Sequence, residues 1–545
     1  MSLLGLFDIG KSSILSNQVA MNAISNNIAN INTEGYSREE VVLETTPGVQ
    51  IRGDYLGRGV QIAGMRRHYD KFIQLQILGQ NQSFGRSYSL DQGLSHIEQI
   101  FNEAKGLGLA DSLQDYFNAW QGVATDPESQ PQRITLLQKA KALIQNAQQI
   151  ERDITDTLKN VNDEIANVVD RVNTITSQIA QLNEKIVQIE AGKSVDEASY
   201  LRDQRDKLLN DLAQQIDYTW FEGKNGDVTV MIGGKSLVTP EKAYQLSTSV
   251  DVEGNRSVTF GSDDLTSLFE KGQLAGNIAV RDEVNQDTLI NLRKLIASII
   301  KETNSLHSTG YGLDGSTGND FFDPLQIYTL DYSSGGYISS ATITDSSALT
   351  LDEYDLKFID AANYEVHDKQ TGALVTSGAY TAGSPINFEG IQVTVDGSPA
   401  AGDSFLISPL RGVIANFNVA ITNTQEIAAS SSDLTLPGDN TNALQMFQLS
   451  QSGIADLSGA TFNSFYSGIV SSVGINSKAA SDGLTYDDNL LNELKNKRDE
   501  VSGVSLDEEA ANLLKYQRAY EAGARILQIT DSLITTILNT VNPTA

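Results

Sequence analysis

The chain has 545 residues, no cysteine and a formal net charge of −30, and 40% of its residues are hydrophobic. This length predicts about three domains with sizeable cores. The negative charge argues against a general nucleic-acid binder and against anionic membrane surfaces, since both need clustered Lys and Arg. The lack of cysteine excludes disulfides, Fe–S clusters, Cys-ligated zinc and thiol catalysis.

Targeting signals give a mostly negative result. The first ten residues lack a basic region, and no small-residue cleavage site follows them, so a cleaved signal peptide is not predicted. No apolar run reaches the ~18 residues of a membrane-spanning helix. We therefore expect no membrane insertion, while export by a route without a cleaved signal remains open.

The first predicted element is a helix with a narrow apolar stripe. Its apolar residues recur at spacings of three, four and seven, which is typical of a coiled-coil seam. Gly10 and Asn17 occupy the two remaining seam positions. The apolar members of the stripe are Leu3, Phe7, Ile14, Met21, Ile24, Ile28 and Ile31.

The same segment contains a pattern that resembles a phosphate-binding loop. Gly5 to Ser12 fits G-x-x-x-x-G-K-[ST] and raises the hypothesis of a nucleotide-using enzyme. A genuine loop of this kind follows a buried strand, for which four preceding residues are too few. Leu6 and Phe7 lie instead within the helical stripe, so we reject the nucleotide hypothesis.

A longer helix is predicted in the proline-free stretch between Gln132 and Thr239. Its apolar residues keep a three/four spacing without a miss, which predicts packing along a partner helix. Gly192 is expected to end this helix, and a second helix around Val195 to Ile216 is expected to fold back antiparallel. The stripe consists of Ile154, Leu158, Val161, Ile165, Val168, Val172, Ile175, Ile179, Leu182, Ile186 and Ile189.

Beyond this helix the apolar period changes from 3.6 to 2. A small β subdomain is predicted near residues 218–262, with Asn225-Gly226 as the turn before the alternating segment Val228–Ile232. Helical periodicity returns from about Asp263 to His307. An all-β unit is predicted from about Ser339 to Pro409, and helix resumes after it.

The C-terminal segment mirrors the first helix. It carries one three/four-spaced seam, in which Glu509, Gly523 and Thr530 are the weak positions. Matching seams at both ends favour a nested architecture, in which the termini pair and the middle of the chain is outermost, over three domains in a row. The seam members are Leu506, Leu513, Tyr516, Tyr520, Leu527, Ile534, Ile537 and Val541.

The predicted fold class is therefore mainly α with β insertions, in a nested multidomain arrangement. A terminal coiled-coil domain comprises residues 1–40 plus 505–545. A long-helix bundle domain comprises residues 41–335 plus 411–504 and includes the small β subdomain. The outer all-β domain comprises residues 336–410.

No group of residues predicts catalysis, a cofactor or a metal site. The four histidines, at positions 68, 96, 307 and 367, are far apart, and thiolates are absent, which argues against zinc. The segment Asp314–Asp320 resembles a calcium loop but lacks its closing Glu, because Leu325 occupies that place. No two carboxylates are spaced as an acid/base pair. We expect no enzyme, no catalytic residues and no cofactor.

Both ends of the chain resemble one family. Asn22–Arg38 and Ser502–Tyr520 are similar to the N- and C-terminal signatures of bacterial flagellar rod, hook and hook-associated proteins, although Glu34 stands where relatives often have Pro. The middle resembles the hook–filament junction branch of that family at Leu201–Leu209, Gly272–Gly276, Asn304–Tyr311, Pro399–Phe405 and Asn440–Leu444. The signature residues are Asn26, Asn27, Asn30, Thr33, Gly35, Tyr36, Asp507, Glu508 and Glu509.

The resemblance implies a structural component of the bacterial flagellum that joins the hook to the filament and polymerises through its terminal helices. It implies four partners: the hook protein, the filament-side hook-associated protein, further copies of the chain, and an export chaperone at the C-terminal helix region. It also implies an extracellular location after type III export without signal cleavage. The alternatives are another flagellar axial protein, either the filament-side hook-associated protein or the hook subunit, and a free-standing coiled-coil adhesin.

The residues suggest how such a chain would assemble. Each terminal seam needs a partner, so the two helices are expected to pair and neighbouring subunits to cover their remaining faces. The alternative is ordinary core packing within one monomer. Two interpretations also stay open for Asn26, Asn27, Asn30 and Asn32: hydrogen bonds between subunits, or termination of the helix before the turn at residues 33–36.

Overall fold

A computed structural model of the protein describes residues 3–33, 35–51, 54–102, 108–190, 198–332 and 335–541. Within these ranges the chain is mainly helical with several small β-sheets, which agrees with the predicted composition of the fold. The helices are α1 (Leu3–Ala29), α2 (Lys71–Phe101), α3 (Leu109–Thr125), α4 (Gln130–Glu190), α5 (Ser199–Gln215), α6 (Gly272–Glu283), α7 (Leu289–His307), α8 (Thr441–Leu449), α9 (Phe462–Ser502) and α10 (Leu506–Val541).

The strands pair antiparallel and fall into three regions of the chain. The first region holds β1 (Glu39–Thr45), β2 (Val49–Ile51), β3 (Asp54–Leu56) and β4 (Val60–Arg67). The second holds β5 (Thr219–Glu222), β6 (Val228–Ile232), β7 (Lys235–Val238), β8 (Ser247–Val250), β9 (Arg256–Phe260) and β10 (Asp263–Asp264). The third holds β11 (Tyr328–Asp331), β12 (Gly336–Ile343), β13 (Tyr354–Asp360), β14 (Asn363–Asp368), β15 (Leu374–Ala379), β16 (Pro385–Phe388), β17 (Ile391–Gly397) and β18 (Ser404–Ser408).

The 61-residue helix α4 confirms the helix predicted from the unbroken apolar stripe. It begins earlier than the stripe, and Pro131 lies in its first turn, where a missing N–H is tolerated. Helix α5 returns antiparallel beside it, since Arg171 Nε bonds Gln215 and Arg202 Nε bonds Glu190. The predicted helix end at Gly192 and the predicted start at Val195 lie outside the described residues.

Helices α1 and α10 pack against each other in opposite directions. A Cβ atom at Gly10 would lie 2.9 Å from Leu527, and one at Gly523 would lie 3.1 Å from Ile14. Five small or polar residues interrupt the two apolar seams, and all five are buried: Gly10, Asn17, Glu509, Gly523 and Thr530. The two glycines let the two backbones approach each other closely. The segment that resembles a phosphate-binding loop is helical throughout and lies within α1.

A β-hairpin of β1 and β4 packs on this helix pair and was not predicted from the sequence. Val41 and Met65 of the hairpin contact Ala20 and Ala23 of α1 and Tyr516 of α10. Strands β1 and β4 therefore contact the terminal helices, although the sequence assigned most of their residues to the long-helix domain.

The second strand region matches the predicted subdomain near 218–262, and Asn225-Gly226 lies in the turn between β5 and β6. The helix expected from Asp263 begins only at Gly272, because β10 and a short 3-10 turn precede it. A π-helical turn over Val284–Thr288, called the π segment below, separates α6 from α7.

The third strand region, called the outer β unit, confirms the predicted all-β segment and extends it back to Tyr328. It has a five-stranded sheet, ordered β11-β18-β13-β14-β15, and a three-stranded sheet, ordered β12-β17-β16. One continuous apolar core links its inner residues, such as Phe358 and Val393, to α3, α4, α7 and α9. A second core joins α4 and α5 to the small β subdomain.

Candidate assembly site

Asn27 connects the two ends of the chain and is completely buried. Its Nδ2 donates to the carbonyl oxygen of Glu39 at 2.9 Å and to Glu509 Oε2 at 3.0 Å. Its Oδ1 accepts from the Tyr36 hydroxyl at 2.8 Å and from the Glu39 N–H at 3.0 Å. Every hydrogen-bonding position of the amide is used, so one side chain joins α1, the following loop and α10.

Arg38 completes the same cluster from the opposite side. Its Nε lies 2.8 Å from Glu509 Oε1, and its Nη1 lies 2.9 Å from Glu508 Oε2. Glu509 is only 1% exposed, and a buried carboxylate is tolerated only when it is paired and hydrogen-bonded. The N- and C-terminal signatures therefore form one structural unit, called the signature joint below: Asn27, Tyr36, Arg38, Glu508 and Glu509.

The other signature residues shape the end of α1. Asn30 Nδ2 donates to the backbone carbonyl and to the side-chain oxygen of Asn26, each at 3.0 Å, and Asn30 accepts from Thr33 Oγ1 at 3.1 Å. Gly35 has φ +83°, which favours glycine. Asp507 lies in the first turn of α10, where a negative charge complements the helix dipole. Asn27 and Asn30 thus have partners within one chain, Asn32 is exposed, and Glu34 lies outside the described residues.

A buried charge cluster fastens the signature joint to the helical body. The Ser37 N–H donates to Asp203 Oδ2 at 3.1 Å, and Arg67 pairs with both Asp203 and Asp206. Burial raises the pKa of both aspartates, against the opposing attraction of Arg67. Burial and the charge of Asp203 also raise the pKa of Glu39.

Sequence reasoning missed this cluster as a site. Arg67 belongs to no sequence motif, and it contacts Asp203, which lies 136 positions away in the chain. The sequence signal for this cluster was the internal segment Leu201–Leu209, which resembles the family and contains both aspartates. Its pattern did not indicate that Arg67 is their partner.

The predicted assembly seam is only partly covered in one chain. On α1, Ile24 is buried, Leu3, Ile14, Met21 and Ile28 are partly buried, Phe7 is 40% exposed, and Ile31 follows the end of the helix. On α10, Leu513, Tyr516, Tyr520, Leu527 and Ile534 are partly buried, Ile537 is 48% exposed, and the Val541 side chain lies outside the described part. Further exposed apolar residues, outside the predicted seams, are Leu4, Leu15, Leu514, Ile529, Leu533 and Leu538. Together with Phe7 and Ile537 they form what is called the uncovered apolar surface below.

Metal sites and membrane-spanning helices are not found in the described part of the chain. There, no group of three or more His, Cys, Asp or Glu residues could hold a metal ion. No described helix is long and apolar enough to cross a membrane. His307 is buried, with Nδ1 2.7 Å from the Asn319 carbonyl and Nε2 accepting from the Ala428 N–H at 2.9 Å, so it joins backbone segments.

Comparison with known proteins gives matches over most of the chain. The family model described as "Flagellar hook-associated protein FlgK helical domain" matches residues 94–322, and "Flagellar hook-associated protein 1, D2-like domain" matches residues 332–409. At the ends, "Flagella basal body rod protein" matches residues 14–36, and "Flagellar basal body rod FlgEFG protein C-terminal" matches residues 495–540. The end models are those of rod proteins, whereas the two middle models are those of hook-associated protein 1.

Relatives match along nearly their whole length. Flagellar hook-associated protein 1 of Salmonella typhimurium is 30% identical over 558 residues, covering 98% of this chain and 99% of that one. The proteins of the same name from Escherichia coli and Bacillus subtilis are 29% and 26% identical, with 98% of this chain covered in each case and 99% and 97% of theirs. The solved structure of the flagellar hook junction protein FlgK from Burkholderia pseudomallei has a similar fold, with a TM-score of 0.67 at 18% identity, covering 78% of this chain and 100% of that one.

Proposed function

The chain belongs to the family of flagellar hook-associated protein 1, and from that membership we propose that it is a structural part of the bacterial flagellum that joins the hook to the filament. The proposed role is mechanical and not enzymatic. It rests on one structural observation, the uncovered apolar surface on α1 and α10. Apolar patches of this kind on a folded chain mark sites of association.

Assembly is proposed to proceed through the terminal helices. Copies of the chain would bury the uncovered apolar surface against one another, while the antiparallel pairing of α1 with α10 forms a coiled coil inside a nested chain. The signature joint supports this arrangement, because it fixes the pair before any neighbour arrives. The proposed domains remain 1–40 plus 505–545, 41–335 plus 411–504, and 336–410, with the hairpin at residues 39–67 added to the first.

The proposed partners are those that membership of the family suggests. The hook protein and the filament-side hook-associated protein would meet the two ends of a ring of these subunits. An export chaperone would cover the apolar residues of α10 before assembly, and the chain would leave the cell without signal cleavage to become an extracellular part of the flagellum. Cysteine is absent and the net charge is −30, and both properties suit a chain that is exported unfolded and then exposed to solvent.

A single charge on the uncovered apolar surface tests the proposal. Ile537→Asp places a carboxylate at an exposed position of α10, so the isolated protein should melt at the wild-type temperature. In bacteria that lack the wild-type gene, the variant should be exported but should fail to support filaments, and flagellin should accumulate in the medium. The readouts are electron microscopy of cells and immunoblots of the medium for both proteins.

The neighbouring Thr536→Asp is the matched control, since Thr536 is also exposed but is polar. Filaments should form normally on that variant. Normal filaments on Ile537→Asp, or an equal defect in both variants, would contradict assembly through this surface. Failure of Ile537→Asp to reach the medium would point to the chaperone interaction.

A further inference from the structure

The turn between β8 and β9 is fixed to the helical body by side chains from three segments. Asn162 of α4 accepts from the Arg256 N–H at 2.9 Å, and Arg281 of α6 donates to the Arg256 carbonyl at 2.7 Å. Asn285, in the π segment, donates to Asn255 Oδ1 at 2.9 Å. The turn end of this hairpin therefore moves with the body, and the π segment supplies one of its anchors.

The tip of the same hairpin is held in a defined shape. Asp251 Oδ1 accepts from the N–H groups of Glu253 and Asn255, at 2.9 and 2.8 Å. Gly254 has φ +88°, which allows the chain to reverse there. The turn thus presents the Glu253 side chain from a rigid support.

Glu253 is held by Tyr332 and Lys369 of the outer β unit and by Arg411, which follows the last strand of that unit. Its Oε1 accepts from the Tyr332 hydroxyl and from Lys369 Nζ at 3.0 Å, and its Oε2 accepts from Arg411 Nη2 at 2.9 Å. Arg411 Nε in turn lies 3.0 Å from Glu353. These five residues are called the Glu253 latch below.

The carboxylate of Glu253 stays ionised over a wide pH range. Burial raises its pKa, but hydrogen bonds from Tyr332, Arg411 and Lys369 outweigh burial and lower the pKa to about 2. Three donors from three separate segments therefore depend on one negative charge.

The latch bridges an open groove instead of a packed interface. The groove has a volume of about 610 Å³ and is lined by α4, the hairpin, the π segment, α7 and the outer β unit. Next to the latch, Lys294 of α7 pairs with Asp352, the chain neighbour of Glu353, at 2.8 Å, and Lys301 donates to the Leu349 carbonyl at 2.7 Å. The unit is thus attached to the helical body through these contacts with α7 and the shared apolar core, and to the hairpin through Glu253.

We propose that the Glu253 latch is a conformational device that sets the angle between the outer β unit and the helical body. With the latch closed, the unit is attached both to α7 and to the hairpin and has one orientation. With the latch open, the unit turns about its contacts with α7, and the groove widens. The device acts within one chain and is independent of how copies of the chain assemble.

Distance measurement on the full-length protein tests this proposal directly. Because the sequence has no cysteine, Lys224→Cys and Ala382→Cys place two spin labels, one on the small β subdomain and one on the outer β unit. We expect a single narrow distance distribution for the otherwise unchanged chain. Glu253→Gln should broaden or split it, because a neutral amide cannot hold three donors, two of them cationic.

Two further comparisons keep the test decisive. Glu241→Gln, at an exposed position of the same subdomain, is the matched control and should leave the distribution narrow. Arg411→Gln should reproduce the effect of Glu253→Gln, and the double variant should add nothing, because both changes open one interaction. An unchanged distribution in Glu253→Gln, with its fold intact by circular dichroism, would overturn the proposal, as would equal broadening by Glu241→Gln.

Discussion

At the scale of single residues, Asn27 makes contacts in the terminal region that neither aspartate nor alanine can reproduce. Its amide offers two donors and two acceptors in one plane, and the structure uses all of them. Aspartate would lose both donors and set a second carboxylate against Glu509, while alanine would leave buried partners unpaired. Each unpaired buried polar group costs about 1–3 kcal/mol.

Asn27→Ala should therefore loosen the start of α10. We expect the free energy for local opening of α10 to fall by about 3 kcal/mol, because the substitution leaves several buried polar groups unpaired. The backbone amides of α10 should then exchange faster. Amides of α4 should be unaffected, because that helix has its own core. Hydrogen exchange with mass spectrometry measures both in one experiment.

Asn32→Ala is the control for this measurement, since Asn32 is exposed at the end of the same signature. It should exchange like the wild type in α10. Equal protection of α10 in Asn27→Ala and Asn32→Ala would show that the signature joint does not hold the helix.

The sequence identified Asn27 as a signature residue but left its role undecided, for a physical reason. A buried amide is explained by its partners, and Glu509 lies 482 positions away. Periodicity reports which face of a helix is apolar, and it does not report which distant polar atoms meet. For the same reason, the sequence did not reveal the contact between Arg67 and Asp203, which lie on different elements.

At the scale of elements, apolar spacing predicted α4 well because a long helix with one buried face follows local rules. The same spacing described the terminal helices less well. There the two backbones approach each other closely at residues that break the seam, Gly10 and Gly523. Small residues permit close approach of two helices, and the flanking apolar residues are left partly uncovered. The hairpin of β1 and β4 was not predicted, because Glu39, Glu40 and Glu44 obscure the alternation of apolar and polar residues in β1.

Gly523→Leu should separate α1 from α10. Leucine favours helix over glycine by roughly 1 kcal/mol, but a Cβ atom there would already lie 3.1–3.3 Å from Ile14 and Ser13. A longer side chain forces the helices apart, so the exposed bonds after Arg518 and Arg525 should be cut faster by trypsin. The rate of cleavage within α10 is the measurement.

Gly474→Leu provides a matched comparison in α9, where a Cβ atom would meet nothing within 4 Å. That variant should be cut no faster than the wild type and should melt slightly higher, from helix propensity alone. If both glycine variants are stabilised, close packing at Gly523 is not what holds the pair.

At the scale of the whole molecule, the terminal region is attached in a different way from the rest. The body and the outer β unit share one large apolar core. The terminal helices and their hairpin have only a small one, and they meet α5 through Arg67, Asp203 and Asp206. Cohesion of the terminal region with the body is therefore largely electrostatic, and it should depend on pH.

The sign of that dependence follows from the pKa shifts. Burial raises the pKa of Asp206 and Asp203 above their ordinary value of 3.8, and that of Glu39 above 4.5. As pH rises through those ordinary values, the unfolded chain releases these protons before the folded chain does. The attachment is therefore strongest below the ordinary pKa values, and it loses stability as pH rises towards the raised ones.

Asp206→Asn should consequently stabilise the attachment at neutral pH. Asparagine keeps an oxygen that can accept from Arg67, and it removes a carboxylate whose charge repels that of Asp203. Protection of β4 and α5 amides in hydrogen exchange should exceed that of the wild type near pH 7, and the difference should shrink as pH falls towards about 4, where aspartates ordinarily titrate. Asp156→Asn, at an exposed position of α4, controls for the change in net charge. If Asp206→Asn is instead less protected than the wild type at neutral pH, Arg67 needs both aspartates ionised. The attraction between Arg67 and the aspartates, and not the cost of burying their charges, would then govern how the terminal helices are held.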